Sequence, residues 1–152
     1  MYTWLKSIKH GYFQPFPEGK IIGDGVYSKM LREQRTLSEP QVLNYRITIT
    51  LLDKKTEVAI EVIGTNNVLV SLEMNFRKGG KLSGVISDKN RPDSYFLEDG
   101  WGSYSKDGSV ITFGPGKIEH KWGTMRGMEE KPNGNTVYVN GHTPFNHVLE
   151  IY

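Results

Sequence analysis

Residues 43–51, LNYRITITL, alternate strictly between apolar and polar side chains. The apolar positions are Leu43, Tyr45, Ile47, Ile49 and Leu51. Because successive side chains of a β-strand point to opposite faces, this alternation predicts a strand with one face in a core. Residues 57–62 and 68–76 repeat the pattern, and residues 147–152 are predicted to form the last strand.

Glycine-containing turns separate the predicted strands. Lys78-Gly79-Gly80-Lys81 is the clearest of them, because two glycines tolerate the positive φ angles of a type I′ hairpin loop. This turn predicts that residues 68–76 pair with a strand at 81–86. Lys106-Asp107-Gly108-Ser109 and Pro132-Asn133-Gly134-Asn135 predict two further hairpins by the same argument.

The pattern as a whole is typical of an all-β protein. About nine or ten short strands, mostly joined by hairpins, predict a single antiparallel β-sandwich of jelly-roll type. Residues 11–39 contain several prolines and glycines, so a long irregular connection with at most one edge strand or one helical turn is expected there. We find no internal repeat and no linker, and therefore expect residues 1–152 to form one domain, a length that buries roughly 70% of the unfolded surface.

Composition excludes several classes of function. The chain has no cysteine, which removes disulfides, a cysteine nucleophile and thiolate metal sites. Lys plus Arg number 19 and Asp plus Glu 17, so no excess of charge points to nucleic acid or a membrane surface. The first ten residues lack an apolar leader and no run of 18 apolar residues occurs, so we expect a soluble chain without an export signal, and its compartment stays open.

Three histidines late in the chain have the side-chain type of a zinc ligand, but not the spacing. His120, His142 and His147 do not form a pair one, three or four residues apart. The run from Gly114 to His120 invites comparison with cupins, but the His-x-His pair of that family is missing. No Gly-x-Ser-x-Gly or phosphate-binding loop occurs either, so we assign no catalytic, metal or cofactor-binding residue and expect the chain not to be an enzyme.

Aromatic residues among small and polar ones give the strongest functional signal. A flat ring beside hydrogen-bonding groups suits a sugar, which offers apolar C–H groups on its face and hydroxyls at its rim. The predicted ligand-binding residues are the rings of Trp101, Tyr104 and Trp122, with Glu119, His120, Arg126, His142 and Asn146 as polar partners. For each ring, packing in the core is the alternative.

Residues 63–82, IGTNNVLVSLEMNFRKGGKL, are followed by GWGSY at 100–104, FGPG at 113–116 and GHTPF at 141–145. These segments resemble the non-catalytic β-sandwich domains attached to bacterial polysaccharide-processing enzymes. The resemblance spans about half of the chain. It implies a carbohydrate-associated accessory or binding module, such as the C-terminal domain of a larger enzyme, whose partner is a carbohydrate or a neighbouring catalytic domain.

Three alternatives stay open at this point. One is a small metal-dependent, cupin-like enzyme built on the late histidines. Another is a lipocalin-like carrier whose closed sheet holds a small apolar ligand. A third is a purely structural domain that docks against its neighbour.

Overall fold

The computed structural model describes the backbone of residues 2–6, 10–13, 37–122 and 133–152, and the side chains of 42–122 and 133–152. Every regular element in these ranges is a β-strand, which confirms the all-β prediction. The strands are β1 (Tyr2–Lys6), β2 (His10–Phe13), β3 (Leu37–Gln41), β4 (Leu43–Leu51), β5 (Thr56–Gly64), β6 (Leu69–Arg77), β7 (Lys81–Ser83), β8 (Ile86–Ser87), β9 (Ser94–Phe96), β10 (Gly102–Lys106), β11 (Ser109–Gly114), β12 (Gly134–His142) and β13 (Phe145–Ile151).

The strands form two main sheets and one separate pair. The first sheet has seven strands in the order β1-β4-β5-β13-β11-β10-β7, and the second has four in the order β6-β12-β9-β8. All neighbours are antiparallel except β12 and β9, which run parallel. The predicted β-sandwich is confirmed, and its jelly-roll connectivity stays a prediction. Because β1 and β7 are the two edges of the larger sheet in the described chain, that sheet does not close on itself as a lipocalin-like carrier requires.

The core lies between the two sheets. Phe76 of the smaller sheet packs against Tyr104 and Phe113 of the larger one, with ring centroids 5.0 and 4.9 Å apart. The predicted inward faces of β5 and β6 are confirmed. The buried members of this cluster are Ile60, Val62, Leu97, Tyr104, Phe113, Val137, Val139 and Phe145.

Strand β4 has the predicted bounds but not the predicted burial along its whole length. Leu43, Tyr45 and Ile47 pack against the core, whereas Ile49 is exposed and Leu51 is 79% exposed. The four-stranded sheet is narrower than the seven-stranded one, so it cannot cover the whole inner face of the larger sheet.

The hairpin predicted at Gly79-Gly80 is wrong. Strand β6 pairs with β12, and β7 pairs with β10, so the two glycines carry the chain from one sheet to the other. Position 80 needs a glycine for a different reason: a Cβ atom there would lie 2.2 Å from Cζ of Tyr104 and would clash with its ring. The hairpin of β10 and β11 is confirmed, with Asp107 and Gly108 at the positive φ angles of 51° and 79° that a type I′ turn needs.

Several short strands were not predicted, since two to five residues are too few for alternation to be recognised. Strands β2 and β3 occupy the two ends of the predicted connection 11–39 and pair with each other. Residues 14–36 lie outside the described residues, as do the residues before Asn133 in the predicted turn 132–135. Among the described residues there is no helix able to cross a membrane.

Candidate functional site

Four of the predicted polar and aromatic residues meet on the outer face of the four-stranded sheet. The chain from Lys117 to Glu119 runs beside β12, where the Asn140 N–H donates to the Lys117 carbonyl at 2.8 Å and the Glu119 N–H donates to the Asn140 carbonyl at 3.0 Å. This pairing brings Glu119, His120 and Trp122 to the end of β12, next to His142. We call these four residues the Trp122 cluster.

Glu119 is a carboxylate with both oxygens engaged. Its Oε1 lies 2.7 Å from Nζ of Lys117, and its Oε2 accepts the His142 N–H at 2.8 Å and lies 3.2 Å from Nδ1 of that residue. The hydrogen bond to Lys117, with those to His142, lowers the pKa of Glu119 to about 2. At neutral pH this side chain is therefore an ionised carboxylate that is stabilised by Lys117 and His142.

Glu119→Gln should lower the free energy of unfolding at neutral pH by about 0.5 to 1 kcal/mol, a small value because the side chain is 38% exposed. The carboxyl pKa is lower in the folded than in the unfolded chain, so the ionised form stabilises the fold above about pH 4.5 and this contribution disappears as the pH falls towards 2. Urea unfolding of both proteins across this range measures the difference. A difference that is as large at pH 2 as at pH 7 would contradict the assignment.

His120 has both ring nitrogens occupied by backbone groups. Its Nδ1 accepts a hydrogen bond from the Trp122 N–H at 3.2 Å, so the ring hydrogen is on Nε2. This Nε2 atom lies 3.1 Å from the carbonyl oxygens of Val70 and Gly141. The ring also contacts that of His142 edge to face, with centroids 5.2 Å apart. His120 is thus held in one tautomer by the fold.

The third late histidine lies apart from this cluster. Nε2 of His147 lies 2.9 Å from the Pro115 carbonyl, and burial lowers the pKa of the imidazole. Within residues 42–122 and 133–152, no group of three histidine, aspartate or glutamate side chains is arranged so that it could hold a metal ion. The described part of the chain therefore offers the cupin-like alternative no metal site.

Asn140 positions the Trp122 cluster, and the sequence did not reveal it. Its fully buried side chain donates from Nδ2 to the carbonyls of His120 at 2.9 Å and Trp122 at 3.1 Å. Ser71 adds a hydrogen bond from Oγ to the same Trp122 carbonyl at 2.9 Å. A polar residue at the end of an apolar strand is ordinarily solvated, so nothing in the sequence marked Asn140 as a loop anchor.

The other predicted residues lie elsewhere. Tyr104 is a core residue whose hydroxyl donates to the Arg77 carbonyl at 2.6 Å. Trp101 and Asn146 are both exposed on the outer face of the seven-stranded sheet, and Arg126 lies outside the described residues. The seven predicted residues that the structure describes therefore do not form one site.

The position of Trp101 follows from the alternation along β11. Phe113 points into the core, so the next residue, Gly114, faces outward, and the Trp101 indole lies over it. A Cβ atom on Gly114 would lie 3.0 Å from this indole and 2.7 Å from the Gly100 carbonyl oxygen. The absence of a side chain at Gly114 lets the ring pack closely against the strand.

Trp101 packs against Tyr152, a residue absent from the predicted set. The ring centroids are 5.5 Å apart with planes inclined by 60°, and the two residues are 44% and 52% exposed. Two backbone hydrogen bonds, of 3.1 and 2.9 Å, hold Tyr152 against Thr112 just beyond β13. The sequence did contain a signal for Tyr152: alternation along the last strand places it on the same outer face as residues 146, 148 and 150.

The charges beside these rings are paired. The Tyr152 hydroxyl donates to Oε2 of Glu150 at 3.0 Å, and Nζ of Lys55 lies 2.7 Å from Oε1 of Glu150 and 2.8 Å from Oε1 of Glu57. These hydrogen bonds raise the pKa of Lys55 and lower the pKa of Glu150. We call this exposed region, with Ser103 and Thr112 on the neighbouring strands, the Trp101–Tyr152 face.

A groove continues the same outer face towards the other end of β13. Its volume is about 220 Å³. It is lined by Arg46, Thr48, Ala59, Ile60, Glu61, Asn146, His147 and Val148. We call it the Asn146 groove.

A second cavity of different character opens between the two sheets, where the smaller sheet leaves β4 uncovered. It has a volume of about 240 Å³ and an almost wholly apolar lining. The lining residues are Leu43, Tyr45, Ile47, Ile60, Val62, Leu69, Val70, Ser71 and Leu72. We call it the intersheet cleft.

Comparison of the chain with family models, with curated proteins and with solved structures gives no significant match. The resemblance to accessory domains of polysaccharide-processing enzymes therefore stays a prediction from the sequence.

Proposed function

We propose that this chain is a carbohydrate-binding module that holds a polysaccharide against the Trp101–Tyr152 face, as an accessory to a catalytic domain. The observation that carries the proposal is the pair of exposed rings on a polar sheet face. Sugars are bound by stacking of their C–H faces on aromatic rings, with hydrogen bonds to the hydroxyls around them. With planes inclined by 60°, one ring can cover the flat face of a sugar while the other borders its edge.

The polar groups that such a ligand needs are present beside the rings. Ser103 and Thr112 are cross-strand partners, and both are partly exposed on the same face as Trp101. A hydroxyl both donates and accepts a hydrogen bond, as does each hydroxyl of a sugar.

The Trp122 cluster is less suited to the same ligand, although Trp122 is exposed. Both oxygens of Glu119 and both ring nitrogens of His120 already have protein partners. A ligand would have to replace these hydrogen bonds rather than add new ones, which gains little free energy.

A protein partner is also less well suited to the Trp101–Tyr152 face. The centres of protein interfaces are depleted of charged residues. Here Lys55, Glu57 and Glu150 lie directly beside the rings. Burying them under a protein would remove water from three ionised groups, whereas a hydrated sugar leaves much of that water in place.

The proposal is tested by titrating the protein with cellulose, xylan, mannan, laminarin and starch fragments in a calorimeter. We expect at least one of them to bind, with Trp122→Ala as a matched control that binds equally well because this residue lies on the other outer face. Absence of binding to all of these uncharged glycans would overturn the proposal.

The intersheet cleft favours a second candidate function, the binding of a small apolar molecule. Its lining is apolar, but its volume of about 240 Å³ is below the 300 to 1,000 Å³ typical of ligand pockets. We therefore rank it second. The test is to titrate a fluorescent fatty acid into the original protein and into Val62→Phe, whose larger side chain fills the cleft. If this candidate is correct, the fatty acid binds the original protein and binds the variant more weakly. Equal fluorescence changes in the two proteins would contradict it.

A further inference from the structure

We infer that the ligand of the Trp101–Tyr152 face is a linear, uncharged polysaccharide that lies along β13, from the aromatic pair to the Asn146 groove. This inference rests on the proposed function and specifies its ligand. The features that carry it are the length of the outer face, its shape between the two ends, and its charge.

The length of the face exceeds one sugar. Residues 146, 148, 150 and 152 lie on the same side of the last strand, so the face extends over the six residue steps from 146 to 152, or about 20 Å at 3.4 Å per residue. The aromatic pair is at one end of this line and the groove lined by Asn146 is at the other. A single sugar cannot contact both ends, whereas a chain of several sugars can.

The centre of the face is low and open. Val148 of β13 is paired with Ala59 of β5, and both belong to the lining of the groove. Their short side chains leave a shallow track between the rings and Asn146. Val148 is also exposed, so an apolar C–H surface of the ligand finds an apolar partner there.

The charge of the face selects against acidic polysaccharides. Lys55 lies between Glu57 and Glu150, and Arg46 lies 3.8 Å from Glu61. Among the side chains that the structure describes on this face, three carboxylates thus accompany two cations, and both cations have a carboxylate neighbour. A uronic acid chain would meet net repulsion, while an uncharged chain meets none.

Asn146 provides the polar contact at the far end. Its side chain is exposed on the outer face, opposite Glu61 of β5. An amide donates and accepts hydrogen bonds at once, which suits a neutral sugar hydroxyl. We therefore assign Asn146 to the end of the ligand distant from Trp101.

The test is a series of oligosaccharides from disaccharide to hexasaccharide, prepared from whichever uncharged glycan of the panel binds. We expect the dissociation constant to fall at least about tenfold across the series, because contacts at the two ends are then made by one molecule. Asn146→Ala should weaken hexasaccharide binding about threefold to tenfold and leave disaccharide binding unchanged. Trp101→Ala should weaken both.

The outcomes separate this inference from the proposed function. Equal affinity for short and long ligands, with no effect of Asn146→Ala, would overturn the inference while the proposed function stands. Tighter binding of polygalacturonate than of the uncharged glycans would overturn the assignment of charge. Absence of binding to every glycan would overturn the proposed function itself. Thermal unfolding of each variant checks that the exposed substitutions leave the fold intact.

Discussion

Replacing Trp101 by alanine should weaken binding of the uncharged hexasaccharide at least about thirtyfold, which corresponds to about 2 kcal/mol. The indole is 44% exposed and packs over Gly114 and against Tyr152, so it offers exposed ring surface to the ligand and is held in place before the ligand arrives. A ring that is already ordered costs little entropy on binding. Calorimetric titration of both proteins measures the change.

The fold should tolerate this substitution. The backbone hydrogen bond from the Gly116 N–H to the Gly100 carbonyl does not involve the Trp101 side chain, and the main packing loss is the contact with Tyr152. We expect the free energy of unfolding to change by less than about 1 kcal/mol. Trp101→Phe should retain part of the affinity, since it keeps a ring. Unaltered affinity in Trp101→Ala would remove this residue from the site.

The Trp101 ring can also be moved from its position without being removed from the protein. Gly114→Ala places a methyl group 3.0 Å from the indole and 2.7 Å from the Gly100 carbonyl oxygen, so ring and loop must move. We expect this variant to weaken both ligand binding and the fold.

Asn140→Ala should lower the free energy of unfolding by about 2 kcal/mol, the largest loss expected from a single polar residue here. The substitution leaves the carbonyls of His120 and Trp122 without the two hydrogen bonds that Nδ2 donates. In the described part of the chain the buried Oδ1 atom has no hydrogen-bond partner, so its removal offsets part of the loss. Urea unfolding measures the difference.

Two further variants isolate the role of the amide nitrogen. Asn140→Asp should be less stable than Asn140→Ala, because a buried carboxylate oxygen would face two carbonyl oxygens. Ser71→Ala removes one of the hydrogen bonds to Trp122 and should cost about 1 kcal/mol. If Asn140→Asp were as stable as the original protein, donation to these carbonyls would not be what holds the loop.

Sequence alternation was sufficient to place β4, β5 and β6, because the period of two is a local property of each strand. The turn at Gly79-Gly80 was misassigned for a long-range reason. Position 80 must be a glycine because the ring of Tyr104 packs against it. Tyr104 is 24 residues further along the chain, so no local sequence pattern could indicate this contact. Strands of two or three residues, such as β8 and β9, were too short to be recognised.

The candidate site was predicted only in part, because neighbours in sequence can face opposite sides of a sandwich. Trp101 and Trp122 both belong to glycine-rich, polar surroundings, but one lies over β11 of the larger sheet and the other over β12 of the smaller one. Sheet membership depends on long-range pairing, which the sequence alone did not determine. Tyr152 was overlooked for the same reason, since its importance comes from a contact with Trp101.

The most direct test of carbohydrate binding at the Trp101–Tyr152 face is nuclear magnetic resonance of the three tryptophan indole N–H groups during titration with the hexasaccharide. Trp101→Phe and Trp122→Phe assign the signals. We predict a large, saturable shift of the Trp101 signal and an unchanged Trp122 signal. A shift of Trp122 with Trp101 unchanged, or no shift of either, would contradict the account.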